Sequence, residues 1–167
     1  IPGVYFRRIN FMATTYVSTK AGTGTQPRSD LHDDTLYCEF DIAAAIGTAA
    51  AGGGGAGGTA FVINDVVQMI KVAAGTVILG VYLSVDFLDT GTAIVTSVGD
   101  GSDTDRFLTG LTIGRSSAVG SSSAMPHSGH LYAYTAADTI DFKVDTAATT
   151  GSTTGKIRLS VRTTMQQ

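Results

Sequence analysis

Thr76-Val77-Ile78-Leu79-Gly80-Val81-Tyr82-Leu83-Ser84-Val85-Asp86-Phe87 is the stretch on which the reading of the fold turns. Val77, Leu79, Val81, Leu83, Val85 and Phe87 recur at every second position, with Ile78, Gly80, Tyr82, Ser84 and Asp86 between them. A period of two places the first set on one face of a strand and the second on the other. Upstream, residues 61–72 are rich in β-branched and apolar side chains, and Ala73-Ala74-Gly75 is a turn. Downstream, Asp89-Thr90-Gly91 is a turn signal before a further strand over 92–98, so strands 76–87 and 92–98 read as a hairpin.

The same alternation recurs at both ends of the chain. Leu36, Cys38, Phe40 and Ile42 share one face, with Tyr37, Glu39 and Asp41 on the other. Ile140, Phe142 and Val144 oppose Asp141, Lys143 and Asp145, and Ile157, Leu159 and Val161 oppose Lys156, Arg158, Ser160 and Arg162. These last two strands read as a second hairpin with a long Thr/Ala/Gly/Ser loop, and residues 130–134 as a short strand. Residues 41–51 are Ala-rich, but Gly47 and the glycine run at 52–58 argue against a helix there. Seven or eight short strands separated by Gly/Thr/Asp turns define an all-β fold, an antiparallel β-sandwich of jelly-roll-like kind. The expected organisation is an extended N-terminal arm over 1–35 and one sandwich domain over 36–167.

Composition supports strands and narrows the function. Of 167 residues, 43% are hydrophobic and only 15% charged, against roughly 25% charged in an ordinary soluble domain. Thr, Ala, Ser and 21 glycines take the place of the charges. Such a surface suits contact with other protein. The net charge of −3 and the lack of a basic stripe argue against direct nucleic-acid binding. No apolar run approaches the ~20 residues that span a bilayer. Arg7 and Arg8 are followed by no apolar h-region, so the N-terminus does not read as a secretory signal.

Chemistry finds little purchase. Gly99-Asp100-Gly101-Ser102-Asp103-Thr104-Asp105 gathers three carboxylates, and Asp100, Asp103 and Asp105 are the candidate ligands for a cation such as Ca²⁺. Their spacing is not that of an EF-hand, and the plain reading is turn chemistry, with Asp side chains accepting from nearby amides. No metal and no cofactor are therefore assigned. The 52–58 glycine run lacks the Lys-Ser/Thr of a phosphate loop. Cys38 has no partner cysteine, and its strand setting reads as core. His32, His127 and His130 are the only histidines, Glu39 is the only glutamate, and no Gly-x-Ser-x-Gly elbow is present, so no catalytic residue is assigned.

A family resemblance covers residues 61–163. Ile70-Lys71-Val72-Ala73-Ala74-Gly75-Thr76-Val77-Ile78-Leu79-Gly80, the strand Thr92-Ala93-Ile94-Val95-Thr96-Ser97-Val98, the loop ending in Asp105-Arg106-Phe107, Tyr134-Thr135-Ala136-Ala137-Asp138-Thr139-Ile140-Asp141 and Gly155-Lys156-Ile157-Arg158-Leu159-Ser160-Val161 follow one another as in small virion structural proteins of tailed bacteriophages. The resemblance is to those of cyanophages and other marine phages, with Ala73 standing where Pro is common. It implies a capsid decoration, cement or head-fibre protein on the outer surface of the head. The implied partners are the major capsid protein and further copies of the chain, with a trimer favoured. Tyr5, Phe6, Arg7, Arg8, Ile9 and Phe11 carry the aromatic and Arg anchors typical of contact hot spots and are the candidate partner-binding residues. Two other readings compete. One is a receptor- or glycan-binding fibre module using Tyr132, Tyr134 and His130. The other is a Ca²⁺-dependent hydrolase or adhesin using the Asp100–Asp105 loop.

Overall fold

The alternating segments become strands because each has one apolar face to hide. The computed structural model describes residues 15–17, 34–47 and 60–165. Its strands are β1 (Thr15–Val17), β2 (Asp34–Asp41), β3 (Val66–Val72), β4 (Thr76–Val85), β5 (Val95–Asp100), β6 (Leu108–Leu111), β7 (Gly120–Ser122), β8 (Asp138–Thr146) and β9 (Lys156–Met165). One six-residue helix, α1 (Ile42–Gly47), follows β2, and a 3₁₀ turn covers His127–Gly129.

The pairing has a simple rule. β2 pairs with β9, β3 with β8, β4 with β7 and β5 with β6, all antiparallel. From β2 to β9 the chain is thus one long hairpin whose tip is the β5–β6 link. Pairing of β4 with β9 and of β5 with β8 rolls this hairpin into two sheets, ordered β2-β9-β4-β7 and β1-β3-β8-β5-β6. β1, from the segment expected to be an arm, runs parallel to β3 at the edge of the second sheet.

Between the sheets lies an apolar core. Leu36, Cys38 and Phe40 of β2, Ile140, Phe142 and Val144 of β8, and Ile157, Leu159 and Val161 of β9 are buried at the positions that alternation assigns. Phe61 bridges Phe40 and Phe142, with ring centroids 6.5 and 6.2 Å away. Burial of each such side chain contributes about 1.5–3 kcal/mol.

Strand β4 departs from the simple pattern. Val81, Leu83 and Val85 are buried, but so are Thr76 and Ile78, whereas Val77 and Leu79 are only half-buried. The β4–β9 register shifts between Ile78 and Gly80. One extra residue there moves every earlier side chain to the opposite face, so the expected six-residue apolar face is broken after Leu79.

Neither expected hairpin forms. β4 and β5 lie in different sheets, as do β8 and β9. Both members of each pair have an apolar face, and they bury it by packing across the core rather than edge to edge. Asp89 shapes the first crossing. Its buried carboxylate accepts from five backbone amides: Oδ1 from Gly91 (2.8 Å) and Thr150 (3.1 Å), Oδ2 from Ala93 (3.1 Å), Ile94 (3.2 Å) and Thr149 (3.2 Å). It ties the β4–β5 crossing to the β8–β9 crossing. Although burial works the other way, these amides bring its pKa down to about 2.

Two smaller expectations also fail. Residues 41–51 do contain a helix, α1. Asp41 caps it by accepting from Ala44 N at 3.0 Å, and Ile42 anchors it with no exposed surface. Residues 130–134 form no strand. They run beside the start of β4 through Leu131 N to Ile78 O (2.9 Å), Ile78 N to Tyr132 O (2.9 Å) and one bridge between Val77 and Ala133.

Candidate functional site

The three-carboxylate loop sits at the tip of the long hairpin, between β5 and β6. Asp100 closes it from inside. Its Oδ1 accepts from Ser102 N (3.0 Å), Ser102 Oγ (2.8 Å) and Asp103 N (2.9 Å), and its Oδ2 from Arg106 Nε (2.8 Å). Asp100 is fully buried. Burial alone would raise its pKa, but the bonds from Ser102, Arg106 and the Asp103 amide outweigh it and the net shift is downward. Asp103 lies 3.8 Å from Arg106 Nη1, and Asp105 Oδ2 accepts from Thr109 Oγ1 at 3.0 Å. Each carboxylate is thus partnered within the loop or at its edge, with Arg106 shared between Asp100 and Asp103. No group of three His, Cys, Asp or Glu side chains able to hold a metal is assembled among the described residues.

The loop folds tightly back on its own strand. A Cβ on Gly99 would stand 2.1 Å from the Asp103 carbonyl oxygen, so only glycine permits this approach.

Arg106 joins this loop to the aromatic candidates. Its guanidinium lies 3.9 Å from the centroid of Tyr132, and Tyr132 packs edge-on against Phe107 and Tyr134 at 6.3 and 5.1 Å. Tyr134 is buried. Burial first, then the charges of Asp100 and Asp138, push its pKa well above the usual range. His130 is exposed. The structure brings the carboxylate loop and the tyrosines together, but as a closed cluster: Arg106 covers Tyr132, and Tyr134 is inside.

Asp141 sits close by on β8, opposite Gly99 of β5 and Gln68 of β3. It is 7% exposed, and its Oδ1 has no partner among the described residues. Burial, reinforced by Asp138 and Asp100 and opposed by a bond from Thr139, pushes its pKa up to about 7.

Period-two reading alone did not single out one further surface. On the outer face of β2, β9 and β4, Tyr37 and Tyr82 flank Ser160 in register and are 52% and 47% exposed. Both stand on the polar side of their alternations, which was legible. That they share a sheet was not, because β2 and β4 are joined only through β9. The next row carries an ion-pair network. Glu39 binds Lys156 and Arg158 (3.0 Å to Arg158 Nε), Arg158 reaches Asp86 at 2.9 Å, and Asp86 also accepts from Lys156 N at 2.9 Å. The bond from Lys156, opposed by burial and aided by Arg158, lowers the pKa of Glu39.

Tyr5, Phe6, Arg7, Arg8, Ile9 and Phe11 lie outside the described residues, as do His32 and the 52–58 glycine run. No helix of the described residues is long and apolar enough to cross a membrane.

Fold and surface together define an antiparallel β-sandwich of low charge whose distinctive side chains serve its own architecture. Two solved structures from phage capsids have a similar fold. The chain superposes on a chain of the capsid of Ralstonia phage GP4 with a TM-score of 0.68 at 21% identity, over 92% of this chain and 99% of that one. It superposes on a chain of the cyanophage Pam1 capsid asymmetric unit with a TM-score of 0.61 at 19% identity, over 86% and 95% of the two chains. No protein-family model and no curated protein matches the sequence. The resemblance drawn from residues 61–163 therefore has its counterpart in structure: the fold is one found in phage capsids, a cyanophage among them.

Proposed function

We propose that the chain is a non-enzymatic virion structural protein, a decoration or cement subunit on the outer surface of a tailed-phage head. The observation that carries this reading is the match of fold over nearly the whole of both chains to components of two phage capsids. The strand order, β2-β9-β4-β7 facing β3-β8-β5-β6, is read as a jelly roll, an architecture common in viral capsid domains.

Physical chemistry supports the assignment. A subunit that reinforces a shell needs rigidity and contact surface rather than reactive groups. Here the conspicuous carboxylates of Asp89 and Asp100 are consumed in holding loops. The partner is the major capsid protein, with further copies of the chain beside it, most simply as a trimer. The expected 1–35 arm, of which Thr15–Val17 docks as β1 and Asp34–Thr35 belongs to β2, engages the shell or a neighbouring subunit through Tyr5, Phe6, Arg7, Arg8, Ile9 and Phe11. Many weak contacts repeated over a closed lattice add up to firm attachment. The glycan-binding alternative gains nothing from Tyr132 and Tyr134, whose rings are covered or buried.

Cosedimentation of the purified full chain with expanded, undecorated heads tests the proposal. Saturable pelleting is expected, weakened at least tenfold when residues 1–11 are removed. Protein that stays in the supernatant at every concentration would refute a shell-binding role.

A further inference from the structure

Asp141 is a carboxyl that the fold buries and leaves half unused. Register sets it between Gln68 of β3 and Gly99 of β5, on the face of β8 turned away from the core residues Ile140 and Phe142. Gly99 has no side chain, and the place of its Cβ is taken by the backbone of Asp103, Thr104 and Asp105. Facing Cβ positions on neighbouring strands are about 4.5–5.5 Å apart, so this loop backbone also closes over Asp141. The carboxyl is 7% exposed, and its Oδ1 has no partner.

No cation answers it from the elements around it. On β3 the facing residue is Gln68, and Lys71, opposite Thr139, is exposed. On β5 they are Gly99 and Ser97, whose Oγ donates to Thr104 O at 3.2 Å. The loop brings Asp103, beside Arg106, and Asp105, bonded to Thr109. On β8 itself Lys143 is engaged by Asp145 (3.2 Å) and Thr104 Oγ1 (3.4 Å), and Thr139 gives Asp141 a hydrogen bond. Asp100 and Asp138 add like charge. Ionised, this carboxyl would lose water at Oδ1 with no donor in exchange and would meet two like charges; the neutral acid escapes both costs. Together they hold it in the acid form up to about pH 7.

We propose that the hairpin tip is a pH-sensitive latch: with Asp141 neutral, the 101–105 loop stays seated over β5 and β8, and ionisation of Asp141 lifts the loop so that the carboxylate reaches water. The loop is the part that gives. β8 is held by ladders to β3 and β5 on both sides, whereas the loop is held by the Asp100 carboxylate, by two turn bonds to Asp103 O and by single side-chain bonds. The sign follows from linkage. The group is harder to ionise in the closed loop than in water, so closure is strongest below about pH 4, weakens about tenfold per pH unit up to about 7, and then levels off. The latch does not rest on shell binding, because the chain by itself tests it.

Amide hydrogen exchange of the full chain is the test, read by mass spectrometry from about pH 5 to about pH 9 and corrected for the intrinsic pH dependence of exchange. The reporters are Ser102, Asp103 and Arg106, whose N–H groups are bonded within the loop. Loop opening in the parent should rise about thirtyfold from about pH 5.5 to about pH 8 and then stay level. Asp141→Asn should give a flat profile, and Asp103→Asn should follow the parent. Slow exchange over Ile157–Val161 of β9 shows that each variant is folded. A flat parent profile overturns the proposal, as does a rise that survives in Asp141→Asn or vanishes in Asp103→Asn. A parent profile that levels off below about pH 5, or is still rising at about pH 9, assigns the opening to another group and overturns it too.

Discussion

Asp89→Asn should be among the most costly single changes at a polar residue of this chain, and its cost should depend on pH. The carboxylate is fully buried and accepts five amide hydrogen bonds, three of them at Oδ2. An Asn at this position keeps one acceptor oxygen, best placed at the three-bond Oδ2 site, and turns an NH₂ towards the amides of Gly91 and Thr150. Hydrogen bonds to a charged group are worth about 1.5–3 kcal/mol each, so two lost bonds amount to about 3–6 kcal/mol before relaxation. Local adjustment of the two crossings leaves an expected loss of about 4 kcal/mol, or a fall in Tm of about 8–16 °C for a domain of this size. Part of this is electrostatic. Depression from 3.8 to about 2 corresponds to about 2.4 kcal/mol. The folded pKa is lowered, so this contribution is fully present above about pH 4 and disappears as pH falls through about 2. The deficit of Asp89→Asn should therefore shrink from about 4 kcal/mol at pH 7 to about 2 kcal/mol near pH 2. Urea unfolding followed by far-ultraviolet circular dichroism reads both numbers, and suits a chain without tryptophan. A deficit under about 1 kcal/mol at pH 7, or one that ignores pH, would refute the assignment of Asp89 as the pin between the crossings.

Asp141→Asn should behave with the opposite sign. The folded pKa is raised from 3.8 to about 7, so the parent loses stability as pH rises through that window. The variant should be more stable by about 2–4 kcal/mol at pH 8 and nearly equal at pH 3, as read by urea titration at the two values; equal curves at pH 8 would contradict it. Gly99→Ala drives a Cβ into the Asp103 carbonyl, and should lower stability by about 3 kcal/mol or more or prevent soluble expression. A Tm within 3 °C of the parent would show that the loop does not lie where described. Arg106→Met leaves the buried Asp100 carboxylate without its cation and should cost about 3–5 kcal/mol, with Arg106→Lys recovering only part. In a double-mutant cycle, Asp100→Asn should couple to Arg106→Met by more than about 0.5 kcal/mol, and strict additivity would count against the ion pair.

Much of the sandwich was legible because burial imposes a period of two. β2, β8 and β9 bury the residues that alternation selects, down to Cys38 in the core. Pairing was less legible, for a physical reason. A turn such as Asp89-Thr90-Gly91 is a local signal, whereas the role of Asp89 depends on Thr149 and Thr150, sixty residues away along the chain. The break in β4 comes from one bulge opposite β9 between Ile78 and Gly80, and within residues 76–87 the glycine at 80 was its one local signal. Helix α1 was set aside because of Gly47, yet that glycine ends the helix rather than preventing it, and the cap at Asp41 was the missed signal. Among the candidate site residues, Asp100 was visible as a turn former. The closing of Tyr132 by Arg106 was not, because it needs the hairpin tip to meet the segment before β8.

Cryo-electron microscopy of phage heads carrying this chain would locate the subunit on the particle. A jelly-roll density seated on the outside of the major-capsid lattice, in contact with the shell through its N-terminal segment, is the predicted result. Fully occupied particles with that density inside the shell, on the tail, or nowhere at all would contradict it.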